Sequence, residues 1–222
     1  MLLIRVSYFF RLRPSTKLHQ FSNGSAQIQS DGVVHMEFIK IREVTQYGQR
    51  TKVADGNETF DISPDGKKIE ISRQNEKRTY SHGQLPTKYW SKYNYACKFV
   101  NIVREQTPKI TKYSDKAVCR LMENGPEPNF EMTVYSNGAK ISYHASKGIK
   151  IFWPNNGQVE QYSSQTLKLD KNHVLFNEFQ IFLTEKERLS QLEKMHEDFE
   201  KNGGGETFPF VIGKRPSSLS SW

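Results

Sequence analysis

Any chemistry in this 222-residue chain must come from its two cysteines, six histidines, paired acids or numerous basic side chains. Cys97 and Cys119 share no metal-ligand or redox spacing. One falls in a helical pattern and the other in a strand pattern, so free thiols in a reducing compartment are expected, and a disulfide scaffold is excluded. As a nucleophile, Cys97 would need a base brought beside it in space; a place in a helix core accounts for it without one. His19, His35, His82, His144, His173 and His196 lie far apart, none with a second His or Cys at ligand spacing, so no metal is expected. Asp61 and Asp65 flank a turn, where aspartate is favoured for its own backbone hydrogen bonds, and make a poor acid–base pair. Gly203-Gly204-Gly205 follows a helix instead of opening one, so it reads as a linker and not a phosphate loop. No catalytic residue and no cofactor follow from these patterns.

The basic residues are the remaining signal. The chain has a net charge of +8, and residues 1–105 hold 17 Lys+Arg against 10 Asp+Glu, whereas residues 106–222 hold 15 against 14. Between Pro64 and Arg104 stand nine basic residues and three acids. A field concentrated in this way favours an anionic partner. The candidate partner-binding residues are Lys67, Lys68, Arg73, Lys77 and Arg78 around Asp65-Gly66, with Lys88 and Lys92 beside them. Lys98 and Arg104 are weaker candidates, since helical geometry turns them elsewhere.

These residues must be held by sheets and helices. Asn23-Gly24, Asp31-Gly32, Asp65-Gly66, Asn137-Gly138 and Asn156-Gly157 each separate runs of alternating apolar and polar residues, the strongest short-range hairpin signal. Ser63–Ile71 aligns with Tyr135–Tyr143 at an offset of 72 residues, which reads as a tandem duplication of a strand meander ending in one helix. The first helix is expected from Pro86 to Glu105, with Tyr89, Tyr93, Ala96, Val100 and Val103 as its apolar stripe and Trp90, Cys97, Phe99 and Ile102 widening it. The second is expected from Asn172 to Lys201, through Leu175, Phe179, Phe182, Leu189, Leu192 and Phe199, with a possible break at the Thr184/Glu187 capping box. Met1–Phe10 is the longest apolar stretch; interrupted by Arg5 and too short to cross a bilayer, it reads as a buried strand. A soluble, intracellular chain without membrane contact is the expectation.

The helix Leu85-Pro86-Thr87-Lys88-Tyr89-Trp90-Ser91-Lys92-Tyr93-Asn94-Tyr95-Ala96-Cys97-Lys98-Phe99-Val100, continued by Pro108–Lys112, closely resembles the central cryptic polo box of the polo-like kinase 4 family. Arg11-Leu12-Arg13-Pro14, Cys119–Asn124 and Phe208–Lys214 are similar to it as well, in order along nearly the whole chain. The resemblance implies an α+β chain of two tandem polo-box folds, each a six-stranded antiparallel β-sheet crossed by a C-terminal α-helix. The boundaries are then residues 1–106 for polo box 1, residues 107–216 for polo box 2 with a C-terminal strand at 208–213, and a tail at 217–222 with Ser217, Ser218 and Ser220. It further implies a non-catalytic targeting and homodimerisation module that binds acidic segments of centriolar scaffold proteins of the Asterless type, in the cytoplasm at the centriole or centrosome, and recruits the serine/threonine kinase for centriole duplication. No glycine-rich ATP loop, His-Arg-Asp or Asp-Phe-Gly motif occurs here. Polo boxes that read phosphopeptides place a His and a Lys two residues apart on a strand of the second box. The corresponding Ser146-Lys147-Gly148-Ile149-Lys150 has no such pair, so a carboxylate-binding surface is expected instead. The alternative is nucleic acid, with basic residues tracking phosphates and Tyr80, Tyr89, Trp90 and Tyr93 stacking on bases. Those aromatics belong to the helix stripe or its margins, so nucleic-acid binding is not expected.

Overall fold

The computed structural model describes residues 18–46, 49–74, 76–163, 169–205 and 207–217. The Met1–Phe10 strand, the Arg11–Pro14 match, Ser218 and Ser220 lie outside them. Two compact units divide at Val103/Arg104.

In the first unit, β1 (His19–Phe21), β2 (Gly24–Ile28), β3 (Val34–Gln46), β4 (Gln49–Ile62), β5 (Lys68–Arg73) and β6 (Glu76–Ser81) pair in simple sequence order, every pair antiparallel. In the second, β7 (Pro108–Tyr113), β8 (Ala117–Met122), β9 (Phe130–Val134), β10 (Lys140–His144), β11 (Gly148–Phe152) and β12 (Val159–Tyr162) do the same. A seventh strand, β13 (Phe210–Ile212), adds to β7 in parallel, so this sheet is mixed and not purely antiparallel.

The turns explain why the meanders form. Asp31, Asp65, Asn137 and Asn156 each accept through Oδ1 the backbone N–H two residues on, at 2.9–3.0 Å. The glycine that follows each one has positive φ, between 69° and 81°. One Asx device closes four hairpins. That recurrence also corrects the repeat. Asp65-Gly66 joins β4 to β5, the fourth and fifth strands of the first sheet, whereas Asn137-Gly138 joins β9 to β10, the third and fourth of the second. The 72-residue offset therefore equates hairpins one strand out of step; the shared meander-plus-helix plan remains. By strand order the partner of the short β9–β10 hairpin is β3–β4, whose strands run 13 and 14 residues instead of five each.

Alternation builds the cores. Ile69 and Ile71 of β5, Phe60 and Ile62 of β4, and Val34 and Met36 of β3 are buried, and the residues between them are not. Over that face lies α1 (Trp90–Gln106), which buries Tyr93, Ala96, Cys97, Phe99 and Val100. It begins later than expected, because Thr87–Tyr89 forms a 3-10 turn. Ile102 does not widen the stripe. It is half exposed, one turn beyond Lys98 on the solvent side of the helix.

In the second unit α2 (Phe176–Lys201) buries Phe179, Phe182 and Leu189 against Phe130, Met132 and Ile141. It starts after a turn in which Asp170 accepts from the backbone N–H groups of Asn172 and His173. It is unbroken at Thr184, whose hydroxyl donates to the Gln180 carbonyl and so caps nothing. Gly203 (φ +88°) donates to the Glu200 carbonyl and Gly204 to that of Phe199, the two bonds of a Schellman stop. Phe199, expected in the stripe, is mostly exposed instead, and its ring leaves no room for a Cβ at position 204.

Phe182 is fully buried, with its ring centre 5.1 Å from that of Phe130 at a tilt of 51°, so Phe182→Ala is expected to cost about 3–5 kcal/mol in urea unfolding. Ile102→Ala is expected to stay within about 0.5 kcal/mol of the parent; a core-sized loss there would put Ile102 back in the stripe.

Candidate acidic-partner surface

The β4–β5 turn and the start of α1 are tied together in the first unit. The Tyr93 hydroxyl donates to the Gly66 carbonyl at 3.1 Å, and the His82 N–H to the Lys67 carbonyl at 2.8 Å. Lys67 is exposed on this turn, and Lys88 is exposed nearby in sequence to α1, its Nζ 4.9 Å from the Tyr89 ring centre.

The nine candidate residues do not form one groove. Since strand side chains alternate, buried Ile69 and Ile71 send Lys68 and Glu70 to the face away from α1. Lys77, opposite Ser72, joins them there. Glu70 bridges the two lysines at 2.8 and 2.7 Å. Their hydrogen bonds lower its carboxyl from 4.5 to about 2, so two of the expected ligand-binding cations are already held by an internal carboxylate.

Arg78 stands opposite Ile71, on the α1 side, and pairs with Glu76 at 2.8 Å. Arg73 lies opposite Glu76 on one side and Glu58 on the other. Lys92 pairs with Glu58, a carboxylate only 5% exposed, and sits 4.5 Å from the centre of the Phe38 ring. A buried carboxylate without such a partner would be costly, so Lys92 is a structural cation. Lys98 points to solvent on the outer stripe of α1 with Asn94 and Asn101. Arg104, in the second unit, donates from Nε and Nη2 to the Glu123 carbonyl at 3.2 and 2.9 Å. It ties the start of that unit to the end of β8.

Charge totals by half conceal a second cationic face. In the second unit Lys109 pairs with Glu193 and Glu197 of α2 at 2.7 and 2.6 Å, and Lys112 pairs with Glu185. Much of the acidity that balances this half is thus spent on the helix side. On the opposite sheet face Glu131 holds Arg120 at 2.9 Å and Lys140 at 2.5 Å. Lys150 projects exposed two strands from Glu131. These residues, with His144 and Phe152, line a cleft of about 580 Å³. Burial, then Lys147, keep the His144 imidazole below its ordinary value. The signal was present in the sequence as the alternation Lys140, Ser142, His144 and in Lys150, but net charge per half averaged it away.

Catalytic alternatives gain nothing. Burial pushes the Cys97 thiol up to about 11 and that of Cys119 to about 12, leaving both protonated at neutral pH. His35 is bonded to Asp61 at 2.6 Å and His173 to Glu160 at 3.0 Å. Among the described residues no group of three or more His, Cys, Asp or Glu side chains could hold a metal ion, and no helix is long and apolar enough to cross a membrane.

The family model of polo-like kinase 4 polo box 1 matches residues 9–104, and that of polo box 2 matches residues 106–216. The chain belongs to the polo-box family of polo-like kinase 4. Among its relatives are the serine/threonine-protein kinases PLK4 of Aedes aegypti (32% identical, covering 94% of this chain and 27% of that protein), Nematostella vectensis (32%, 93% and 22%) and Xenopus tropicalis (30%, 95% and 23%). The chain therefore spans about a quarter of the length of these relatives, and what it matches is their non-catalytic polo-box portion. Polo-box regions of this kinase are protein-interaction modules, and the two sheets with their helices are the two boxes.

Glu70 makes the first box sensitive to acid. A carboxyl lowered by its folded-state partners stabilises the fold above its unfolded value of 4.5, and that contribution is lost as pH falls through about 2. Glu70→Gln is expected to flatten the acid limb of the melting temperature between those values. An unchanged limb would mean that Glu70 does not hold Lys68 and Lys77 in solution.

Proposed function

We propose that this chain is a docking and homodimerisation module whose ligand is an acidic segment of a centriolar scaffold protein of the Asterless type. In that role it brings the serine/threonine kinase to which it belongs to the centriole or centrosome for centriole duplication. The single observation that carries the reading is the exposed cationic edge of the first polo box, where Lys67 and Lys88 flank the turn and helix start that Tyr93 and His82 bind together. Lys68 and Lys77, held by Glu70 on the face away from α1, and Arg78, held by Glu76, stand apart from that edge. Charge-assisted hydrogen bonds from such groups to carboxylates are stronger than neutral ones, and a cationic rim also speeds encounter with an acidic chain.

Nucleic acid is the weaker reading. Tyr80, Tyr89 and Trp90 pack against the first core and Tyr93 is part of it, so the rings that stacking would require are engaged.

The direct test is charge reversal with the structural cation left intact. Lys67→Glu/Lys68→Glu/Lys88→Glu, with Lys92 kept native over Glu58, is expected to weaken binding of a glutamate-rich peptide at least about tenfold, or about 1.4 kcal/mol. The melting temperature should fall slightly through loss of the Lys68–Glu70 pair, and Lys67→Glu/Lys88→Glu, which leaves that pair intact, should keep the parent value. Equal affinity by calorimetry would remove this edge from the site. Light scattering of the same samples tests self-association: a monomer mass throughout the micromolar range would defeat the homodimer.

A further inference from the structure

The β3–β4 hairpin does something the rest of the first polo box does not. β2 accompanies β3 only as far as Phe38, and β5 accompanies β4 only from Glu58. Beyond those points residues 40–46 and 49–57 pair only with each other, out to Gln46↔Gln49. At about 3.3 Å per residue the arm projects by roughly 25 Å. Every position from Gln49 to Asn57 is exposed, and Ile41 and Val53 are 45% and 49% exposed. Among the described residues neither edge of the arm has a strand alongside it. A two-stranded ribbon with both edges and both faces in water is marginally stable alone, and its open edge is a template for another strand. By strand order the second box has only the short β9–β10 hairpin at this place, so the arm is an elaboration of one box and not a requirement of the fold.

Resting on the acidic-partner reading, we infer that the β4 edge of this arm takes an acidic segment as an added β-strand. The charges choose the occupant. Lys40, Arg42, Arg50 and Lys52 stand on the arm against Glu43 and Asp55. Arg50 and Lys52 lie two residues apart and share one face, while Thr51 and Val53 share the other. Arg73, opposite Glu58 at the end of β5, stands where the free edge begins. A second copy brought edge to edge would set like charges beside each other, which destabilises a ladder. An extended segment with glutamate or aspartate at alternate positions reverses that sign and supplies the missing main-chain partners. Backbone bonds would then give affinity and the alternate carboxylates selectivity. The arm would hold the acidic segment by strand addition, and the Lys67/Lys88 edge would meet it by charge alone.

The experiment uses the whole chain and two peptides of about eight residues, the usual length for a full strand. One alternates glutamate and threonine; the other is identical but N-methylated at every second backbone amide. The parent peptide is expected to bind, to slow hydrogen exchange of amides within Gln49–Asn57, and to lose at least about tenfold in affinity on N-methylation or with Arg50→Glu/Lys52→Glu. Arg50 and Lys52 are exposed, so that variant should melt as the parent does. Equal binding of both peptides overturns strand addition while leaving capture by charge intact. A loss confined to Lys67→Glu/Lys68→Glu/Lys88→Glu does the same and returns the site to that edge. Failure of both peptides to bind also overturns the inference, and the glutamate-rich peptide of the preceding test then decides the broader reading separately. If Arg50→Glu/Lys52→Glu changes the mass in solution with no effect on peptide affinity, the arm is an interface between copies and the inference fails.

Discussion

Both halves of this chain depend on one constraint: every second residue of a strand must lie under a helix, and its neighbours must not. Ile69 and Ile71 beneath α1, and Met132 and Ile141 beneath α2, are the same solution reached twice. Burial of such side chains from water drives each unit. It also decides where charge can go. Once Ile69 is committed to the core, Lys68 and Glu70 have to stand on the other face; once Met132 is buried, Glu131 does. Lys68, Lys77, Arg120 and Lys140 thus stand on the reverse sides of their sheets, whereas Arg78 and Lys92 stay on the α1 side.

Carboxylates set into these surfaces shape what they can do. Glu70 between Lys68 and Lys77, Glu131 between Arg120 and Lys140, and Glu58 beneath Lys92 are each built into a strand. Each orders flexible cations, and each also competes with an external anion for the same donors. On the docking role proposed above, such a surface would favour a partner carrying many carboxylates over a lone anion, because only a dense acidic chain outweighs the internal ones. That agrees with the absence of a His–Lys pair in Ser146–Lys150. On the same proposal the exposed cations of the turn, the helix start and the β3–β4 arm would count for more than the raw number of basic residues.

The fold was legible because its signals are local. Asx turns, period-two alternation and the aromatic stripe of α1 are all read within a dozen residues, and they led to two meanders, two helices and a polo-box resemblance that the family match bears out. The errors arose where the signal was local but the answer was not. Asp65-Gly66 and Asn137-Gly138 look alike because the same turn chemistry serves any hairpin, so their alignment slipped by one strand. Ile102 and Phe199 fit a helical rhythm, yet burial depends on whether a sheet lies beneath that turn of the helix. Thr184 fits a capping box, yet the helix was already running and its hydroxyl found the Gln180 carbonyl.

For the site the division is sharper. Residue types and charge alone raised the expectation of an anionic partner, placed the greater basicity in the first half, and spelled out no catalytic or metal-binding constellation. Only the tertiary structure decided which cations are engaged. Glu58 meets Lys92 across the gap between sheet and helix, and Glu131 meets Arg120 from a neighbouring strand. It alone showed that β3 and β4 outrun their neighbours. The physical reason is that a chain's order records which residues exist, while pairing energy depends on distances of a few ångströms between residues that folding brings together from far apart.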